Sequence, residues 1–137
     1  MSKPLTVPRD AERVVRDYLL AALVARGQDV TCGAYIPTTS WTSTTKSHVQ
    51  VAWDGTPESV YPILDRATVR VTAWAYTTTA AKALVGLCEG LLLSHPGSPE
   101  VGSIQPLTGT LPAQDPATKA QLASISVRVN LCRAVLA

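Results

Sequence analysis

The sequence predicts an α+β domain in which a small, mostly antiparallel sheet carries two helices on one face. Three patterns lead to this prediction: an amphipathic helical repeat opens the chain, segments of alternating polar and apolar residues follow, and an apolar helical segment precedes the last strands. The predicted element order is α-β-β-β-α-β-β, which lacks the strand–helix alternation typical of a parallel sheet. A length of 137 residues, 46% of them hydrophobic, predicts a single domain spanning residues 1–137.

The opening helix is predicted from Pro8 to Ala25. Apolar residues recur there at the spacing of one helix face. They are Val15, Tyr18, Leu19, Ala22 and Leu23. Pro8 suits the first turn, and Asp10 complements the positive end of the helix. Gly27 suits the position directly after the helix, where the backbone turns into the left-handed region.

Alternation of polar and apolar residues predicts the strands. They are Thr31–Ile36, His48–Trp53, Ala67–Tyr76, a short segment around Ser103–Leu107, and Leu122–Leu131. In Ala67–Tyr76 the odd-numbered valines and alanines form an inward face, and Leu122–Leu131 has the same pattern in its odd-numbered residues. Trp53 falls on the apolar side of its own strand, which predicts a place in the core.

The second helix is predicted from Ala80 to Leu93. The cluster Thr77–Thr79 supplies a helix N-cap. Gly86 and Gly90 lie one turn apart inside the helix, where each glycine costs about 1 kcal/mol relative to alanine. They would let the helix approach the sheet or a neighbouring subunit closely, and the sheet is the favoured partner.

Two polar stretches are predicted to be mobile loops, near residues 37–47 and 107–119. The first is built almost entirely from Ser and Thr around Trp41, and the second is rich in Pro and Gly. The role of Trp41 is left open at this point. A large ring in a polar loop is equally consistent with an interface contact and with local packing.

No pattern in the chain indicates catalysis, a metal or a cofactor. The only histidines, His48 and His95, stand outside any nucleophile or metal-ligand motif, and both are expected at surface or turn positions. The three cysteines lack ligand spacing and are interpreted as reduced thiols of a protein made in the cytoplasm. The longest apolar run, Ala83–Leu93, is too short to span a membrane. The chain is therefore expected not to be an enzyme, to need no cofactor and to have no membrane partner.

Charge is scarce and scattered. Charged residues make up 16% of the chain, against about 25% in soluble domains, and this favours burial against partners. The net charge of +2, without a basic stripe, argues against a dedicated nucleic-acid-binding protein. Arg70 and Arg128 fall on the outward faces of their strands, and Trp74 lies on the same face as Arg70. The candidate interface residues are therefore Trp41, Arg70, Trp74 and Arg128.

Three segments together resemble the tail terminator (tail completion) proteins of long-tailed bacteriophages. They are DAERVVRDYLLAAL (10–23), ATVRVTAWAYTTTAAKALVGLCEGLLL (67–93) and ASISVRVNL (123–131). The resemblance lies in the layout of a strand that leads into a helix of small residues, then a Pro- and Gly-rich stretch and a final strand. It extends from Asp10 to Leu131. The Ser/Thr stretch and residues 97–119 show no family pattern.

The resemblance implies a virion protein of the tail or neck, made in the bacterial host cytoplasm. It would form a homo-oligomeric ring, a hexamer in the family, that caps the tail tube and ends its polymerisation. Its partners would be the tail-tube protein and the head–tail connector proteins, and DNA would pass through the lumen without sequence-specific binding. No catalytic residue is carried over from the family.

Two alternatives stay open from the sequence. One is another component of the head–tail neck, such as a stopper or connector. The other is a small ligand-binding or enzymatic α+β domain, for which Cys32, His48 and Trp53 are the nominated site residues.

Overall fold

A computed structural model describes residues 5–33, 47–56, 58–60, 64–116 and 119–136 of the chain. These residues form two helices and eight strands. The helices are α1 (Ala11–Ala25) and α2 (Thr78–Leu93), and the strands are β1 (Leu5–Val7), β2 (Val30–Gly33), β3 (Ser47–Trp53), β4 (Glu58–Val60), β5 (Leu64–Ala75), β6 (Val101–Gln114), β7 (Gln121–Cys132) and β8 (Ala134–Leu136).

The main sheet has the strand order β2-β3-β5-β7-β6, and the short β4 pairs with the beginning of β5. Every pairing in it is antiparallel except that of β2 with β3, which is parallel. Strands β1 and β8 form a separate two-stranded antiparallel sheet. The predicted α+β class and the order α-β-β-β-α-β-β are confirmed, with β1, β4 and β8 as short additions.

Helix α1 begins three residues later than the sequence pattern suggested. Asp10 is the N-cap rather than a residue of the first turn, since its carboxylate accepts a hydrogen bond of 3.1 Å from the backbone N–H of Arg13. Gly27 follows the helix with a φ of 74°, as predicted for the residue after the C-cap. The buried face consists of Ala11, Val14, Val15, Leu19 and Leu23.

Helix α2 begins at Thr78, with Thr77 as the N-cap whose hydroxyl accepts from the N–H of Ala80. The prediction that Gly86 and Gly90 pack against the sheet is wrong. Both glycines are exposed, and a Cβ built on either would meet no atom within 4 Å. The sheet is instead covered by larger side chains, namely Ala81, Leu84, Val85, Cys88 and Leu92.

The hydrophobic core lies between the two helices and one face of the main sheet. Both helices contribute to one continuous cluster with the inward residues of β3, β5 and β7. In β5 and β7 those residues are the predicted ones, and none is more than 1% exposed. They are Val69, Val71, Ala73 and Ala75 of β5 and Ile125, Val127, Val129 and Leu131 of β7.

Two further sequence predictions need correction. Trp53 is 39% exposed because it stands at the end of β3 rather than in the core. The stretch from Leu107 to Gln114 is not a loop, since it belongs to β6 and pairs with β7, while residues 117 and 118 of the predicted loop lie outside the described residues. For the other predicted loop, residues 37–46 lie outside the described residues, and Ser47 begins β3.

A buried ion pair joins the two sheets. One guanidinium nitrogen (Nη1) of Arg133 donates to both carboxylate oxygens of Asp65, at 2.9 and 3.0 Å, and the two side chains are 14% and 4% exposed. The same guanidinium donates through Nε to the Thr6 hydroxyl at 3.1 Å. Asp65 belongs to β5, Thr6 belongs to β1, and Arg133 directly precedes β8. The hydrogen bonds of Arg133 therefore hold the two-stranded sheet of β1 and β8 against the main sheet.

Replacing Asp65 with Asn should destabilise the protein strongly. Breaking a buried pair leaves Arg133 charged without its counter-ion, which costs about 3–5 kcal/mol. The matched control is Asp54→Asn, since Asp54 pairs with Arg70 at 3.6 Å in an exposed position. An exposed pair contributes about 0–1 kcal/mol. Urea unfolding of both variants gives the two values, and equal losses would contradict a special role for the buried pair.

Replacing Gly86 and Gly90 together with Ala should stabilise the isolated chain by about 1–2 kcal/mol, because both positions have room for a Cβ and alanine favours the helix. The change in thermal unfolding measures this gain. A loss of stability would show that the glycines are needed for close packing within the subunit.

Candidate interaction surface on the open face of the sheet

The face of the main sheet opposite the helices is called here the open face. Its side chains are the even-numbered residues of β3, β5 and β7, which alternate with the core positions. Neither helix contributes to this face, since both pack on the other side with the core cluster. The open face is therefore the large sheet surface that the subunit does not cover with its own helices.

The chemistry of the open face changes along the strands. Cross-strand neighbours form five rows from β3 to β6, of which the last two lack a β3 member. The rows are His48, Trp74, Leu122 and Ala113; Gln50, Thr72, Ser124 and Leu111; Ala52, Arg70, Ser126 and Thr108; Thr68, Arg128 and Gln105; and Arg66, Asn130 and Ser103. One end is apolar, the middle carries hydroxyl groups, and the other end carries arginines and amides.

Trp74 is the largest side chain of the apolar end. It is 3% exposed and packs with Ala120 and Leu122 in a cluster separate from the main core. Its indole Nε1–H is buried and has no hydrogen-bond partner among the described residues. A buried donor without an acceptor costs about 1–3 kcal/mol.

Arg70 and Arg128 lie in adjacent rows of the open face, as their strand positions suggested. Arg70 pairs with Asp54 at 3.6 Å across an exposed contact. Arg128 faces Thr68 on one side and Gln105 on the other. No carboxylate within the described part of the chain forms an ion pair with it, so its guanidinium is available to a partner.

Asn130 gives a second orphan polar atom at the arginine end. Its Nδ2 donates to the Ser103 hydroxyl at 2.7 Å, while its buried Oδ1 has no partner among the residues described. In the middle rows, Thr72 and Ser124 satisfy each other with a hydroxyl–hydroxyl hydrogen bond of 2.9 Å. The two orphan atoms, one donor and one acceptor, therefore both belong to the open face.

A shallow depression of about 280 Å³ lies between the apolar and hydroxyl rows. Its lining residues are Gln50, Arg70, Thr72, Trp74, Asp115, Leu122 and Ser124. The lining offers an apolar floor, hydroxyl and amide groups, and one charge of each sign. Such a lining suits a protein side chain or peptide segment, with both donors and acceptors, better than a purely anionic ligand.

The structure separates the residues nominated for a small-molecule site. Cys32 lies on the helix side of β2, with its thiol 3.9 Å from the carbonyl oxygen of Arg16. His48 is 3% exposed on the open side, with Nδ1 2.6 Å from the Thr31 hydroxyl, so the prediction of a surface position was wrong. Trp53 stands at the far end of β3. The three side chains do not converge.

His95 occupies a turn, as predicted. Its Nδ1 accepts from the N–H of Gly97 at 2.9 Å, and its ring meets Tyr18 edge-on at 4.4 Å. The Tyr18 hydroxyl donates in turn to the carbonyl of Leu91, which ties α1 to α2. These contacts give His95 a structural role between the helix ends.

The thiols are poorly suited to nucleophilic chemistry. Burial raises the pKa of Cys32 to about 11 and that of Cys88 to about 12. Both therefore stay protonated near neutral pH, whereas the thiolate is the reactive form. Within the described ranges, no group of three or more His, Cys, Asp or Glu residues could hold a metal ion.

The sequence pattern placed three of the four candidate interface residues correctly on the outward side of their strands, but it did not reveal their setting. Arg70, Trp74 and Arg128 share the open face, and Trp41 lies outside the described residues. The alternation contained no signal for Asp54, which pairs with Arg70, for Asp115, which lines the same depression, or for the side-chain Oδ1 of Asn130, which has no partner among the described residues. Among the residues described, no helix is long and apolar enough to cross a membrane.

Comparison of the chain with known protein families and with curated proteins finds no match to either.

Replacing Trp74 with Phe should leave the stability of the isolated subunit unchanged or raise it. The ring would still pack on Leu122, while the unsatisfied indole N–H would be removed. Urea unfolding measures this, with Trp74→Ala as the comparison that also creates a cavity. A loss of stability close to that of Trp74→Ala would mean that the N–H has an acceptor within the subunit, since the smaller Phe ring by itself leaves only a small cavity.

Proposed function

We propose that this chain is a structural subunit of a bacteriophage virion, forming a ring that caps the tail tube and joins the tail to the head connector. The observation that carries the proposal is the open face. It places Arg70 and Arg128 on a sheet face that neither helix covers, next to the buried Trp74, together with two buried polar atoms that have no hydrogen-bond partner among the described residues. A surface of this composition fits contact with another protein, since aromatic residues and arginine are enriched in interfaces.

The layout of the fold also favours this role over catalysis. The helix, the strand leading into a second helix, and the closing strand are the segments that resemble tail terminator proteins, and they form the core of the subunit. Cys32, His48 and Trp53, which were nominated for a small-molecule site, do not lie together. The thiols of Cys32 and Cys88 are held protonated near neutral pH because burial raises their pKa. The observations therefore favour an assembly role.

The charge distribution fits a lumen through which DNA slides. Strong binding of DNA requires many uncompensated cations, because each phosphate contact adds to affinity and to salt dependence. On the open face, Arg70 is already paired with Asp54. A surface with so few free cations could contact a partner protein through Arg128 without holding DNA in place.

The test combines native mass spectrometry with negative-stain imaging of the purified chain, alone and mixed with tail-tube protein. We expect rings in solution, or rings that appear only on tube ends. Arg128→Ala should weaken ring formation or tube capping, because it removes the guanidinium available on the open face. The matched control is Arg26→Ala, which removes an exposed arginine at the end of α1.

Three other outcomes would count against parts of the proposal. Equal behaviour of Arg128→Ala and Arg26→Ala would remove the open face from the contact. A chain that ignores tubes but binds the ring on the portal side would be a stopper or connector of the neck. A chain that stays monomeric with either partner would contradict the proposed function.

A further inference from the structure

We infer that neighbouring copies in the ring join edge to edge, with residues 107–111 of β6 in one copy pairing against β2 of the next. This inference rests on the proposed ring and names the contact that would build it. The two strands lie at opposite edges of the main sheet, β2 at one end of the strand order and β6 at the other. Each pairs with one neighbour only in the described part of the chain.

The strand directions favour this contact. Strand β3 runs parallel to β2, and the order β3-β5-β7-β6 then reverses direction at every step. After three reversals β6 runs opposite to β2. Rotation about an axis parallel to the strands keeps their directions, so β6 of one copy meets β2 of the next as an antiparallel pair. Antiparallel pairing is the more stable arrangement and continues the dominant pattern of the sheet.

Both edges lack the charges that normally block strand addition. No Asp, Glu, Lys or Arg occurs in β6 from Val101 to Gln114, and none occurs in β2 from Val30 to Gly33. Exposed edges are usually protected by inward or edge charges, above all lysine. Two uncharged strands at opposite edges of the sheet can therefore pair without burying a charge.

Prolines divide the β6 edge into two short windows. Pro106 and Pro112 have no N–H to donate, so continuous pairing with another strand is possible over Val101–Gln105 or over residues 107–111. We assign the contact to residues 107–111 because this window carries the exposed Leu107 and Leu111. The ladder to β7 is irregular within the same window, with register shifts between Pro106 and Thr108 and between Thr108 and Leu111. The window is about as long as the four residues of β2.

Apolar side chains flank the window. Leu107 is 46% exposed and Leu111 is 59% exposed. Beside β2, a groove of about 410 Å³ is lined in part by Val30, Ala83 and Leu87. Leu107, presented by the β6 edge of a neighbour, would find apolar cover there, which adds hydrophobic burial to the backbone pairing, whereas Leu111 lies on the open face opposite Ser124.

The test uses two variants that each disable one edge. Leu107→Lys combined with Leu111→Lys places charges on the β6 edge, and Ala83→Lys places a charge in the groove beside β2. All three positions are exposed, so the subunit should remain folded, which circular dichroism and thermal unfolding check. The matched control is Val135→Lys, since Val135 is 68% exposed on β8, away from both edges.

We expect each edge variant alone to sediment as a monomer, while the control behaves as wild type. A one-to-one mixture of the two edge variants should give a dimer and nothing larger, since only one intact joint can form between them. Both disabled edges carry lysine, so they would repel each other rather than create a new joint.

Other outcomes overturn the inference in distinct ways. Rings formed by either edge variant, or a mixture that stays monomeric, would show that these edges do not meet, while the ring function would stand. Loss of assembly only in the β6 variant, with Ala83→Lys unaffected, would indicate β6 pairing with β6 of a second copy. A wild-type chain that stays monomeric with and without tube protein would contradict the proposed function and this contact together.

Discussion

The antiparallel pairing of β5 with β7 determines which side chains face the helices and which face outward. The pairing runs without a break from Leu64 opposite Cys132 to Ala75 opposite Gln121. A shift of β5 by one residue would move its inward Val69 and Val71 to the open face and would place Arg70 beneath the helices. The helix-covered core, the open face and the position of the buried Asp65 next to Arg133 all depend on this one register.

The alternation in the sequence was sufficient to predict β5, β7 and their inward faces, because a period of two is specific when one face is apolar. Strand β6 was missed beyond Leu107 because Pro106, Gly109 and Pro112 resemble a loop. At the edge of a sheet prolines are tolerated, since an N–H that points to solvent is not needed for the ladder. Gly86 and Gly90 were misplaced because spacing alone does not show which side of a helix meets the sheet.

The open face illustrates why a candidate surface is harder to predict than a core. That Trp74 points outward follows from alternation, but its burial depends on Ala120 and Leu122, which lie more than forty residues later in the chain. The orphan state of its Nε1–H and of Asn130 Oδ1 is a property of three-dimensional packing. Burial of such groups without a partner among the described residues is costly, and the alternation of a strand contains no information about it.

The uncharged edges of the sheet and its open face both favour association with another protein. A monomer whose β6 edge carries no charge between Pro106 and Pro112 would be prone to strand addition over that short segment, which a soluble protein normally prevents. Antiparallel closure into a ring removes such edges, because every β6 is then covered by the β2 side of a neighbour. The prolines that bracket residues 107–111 would keep that pairing short and hold it in one register. On this view, the low charge of the chain is a requirement of assembly, since charges on these edges would prevent the subunits from meeting.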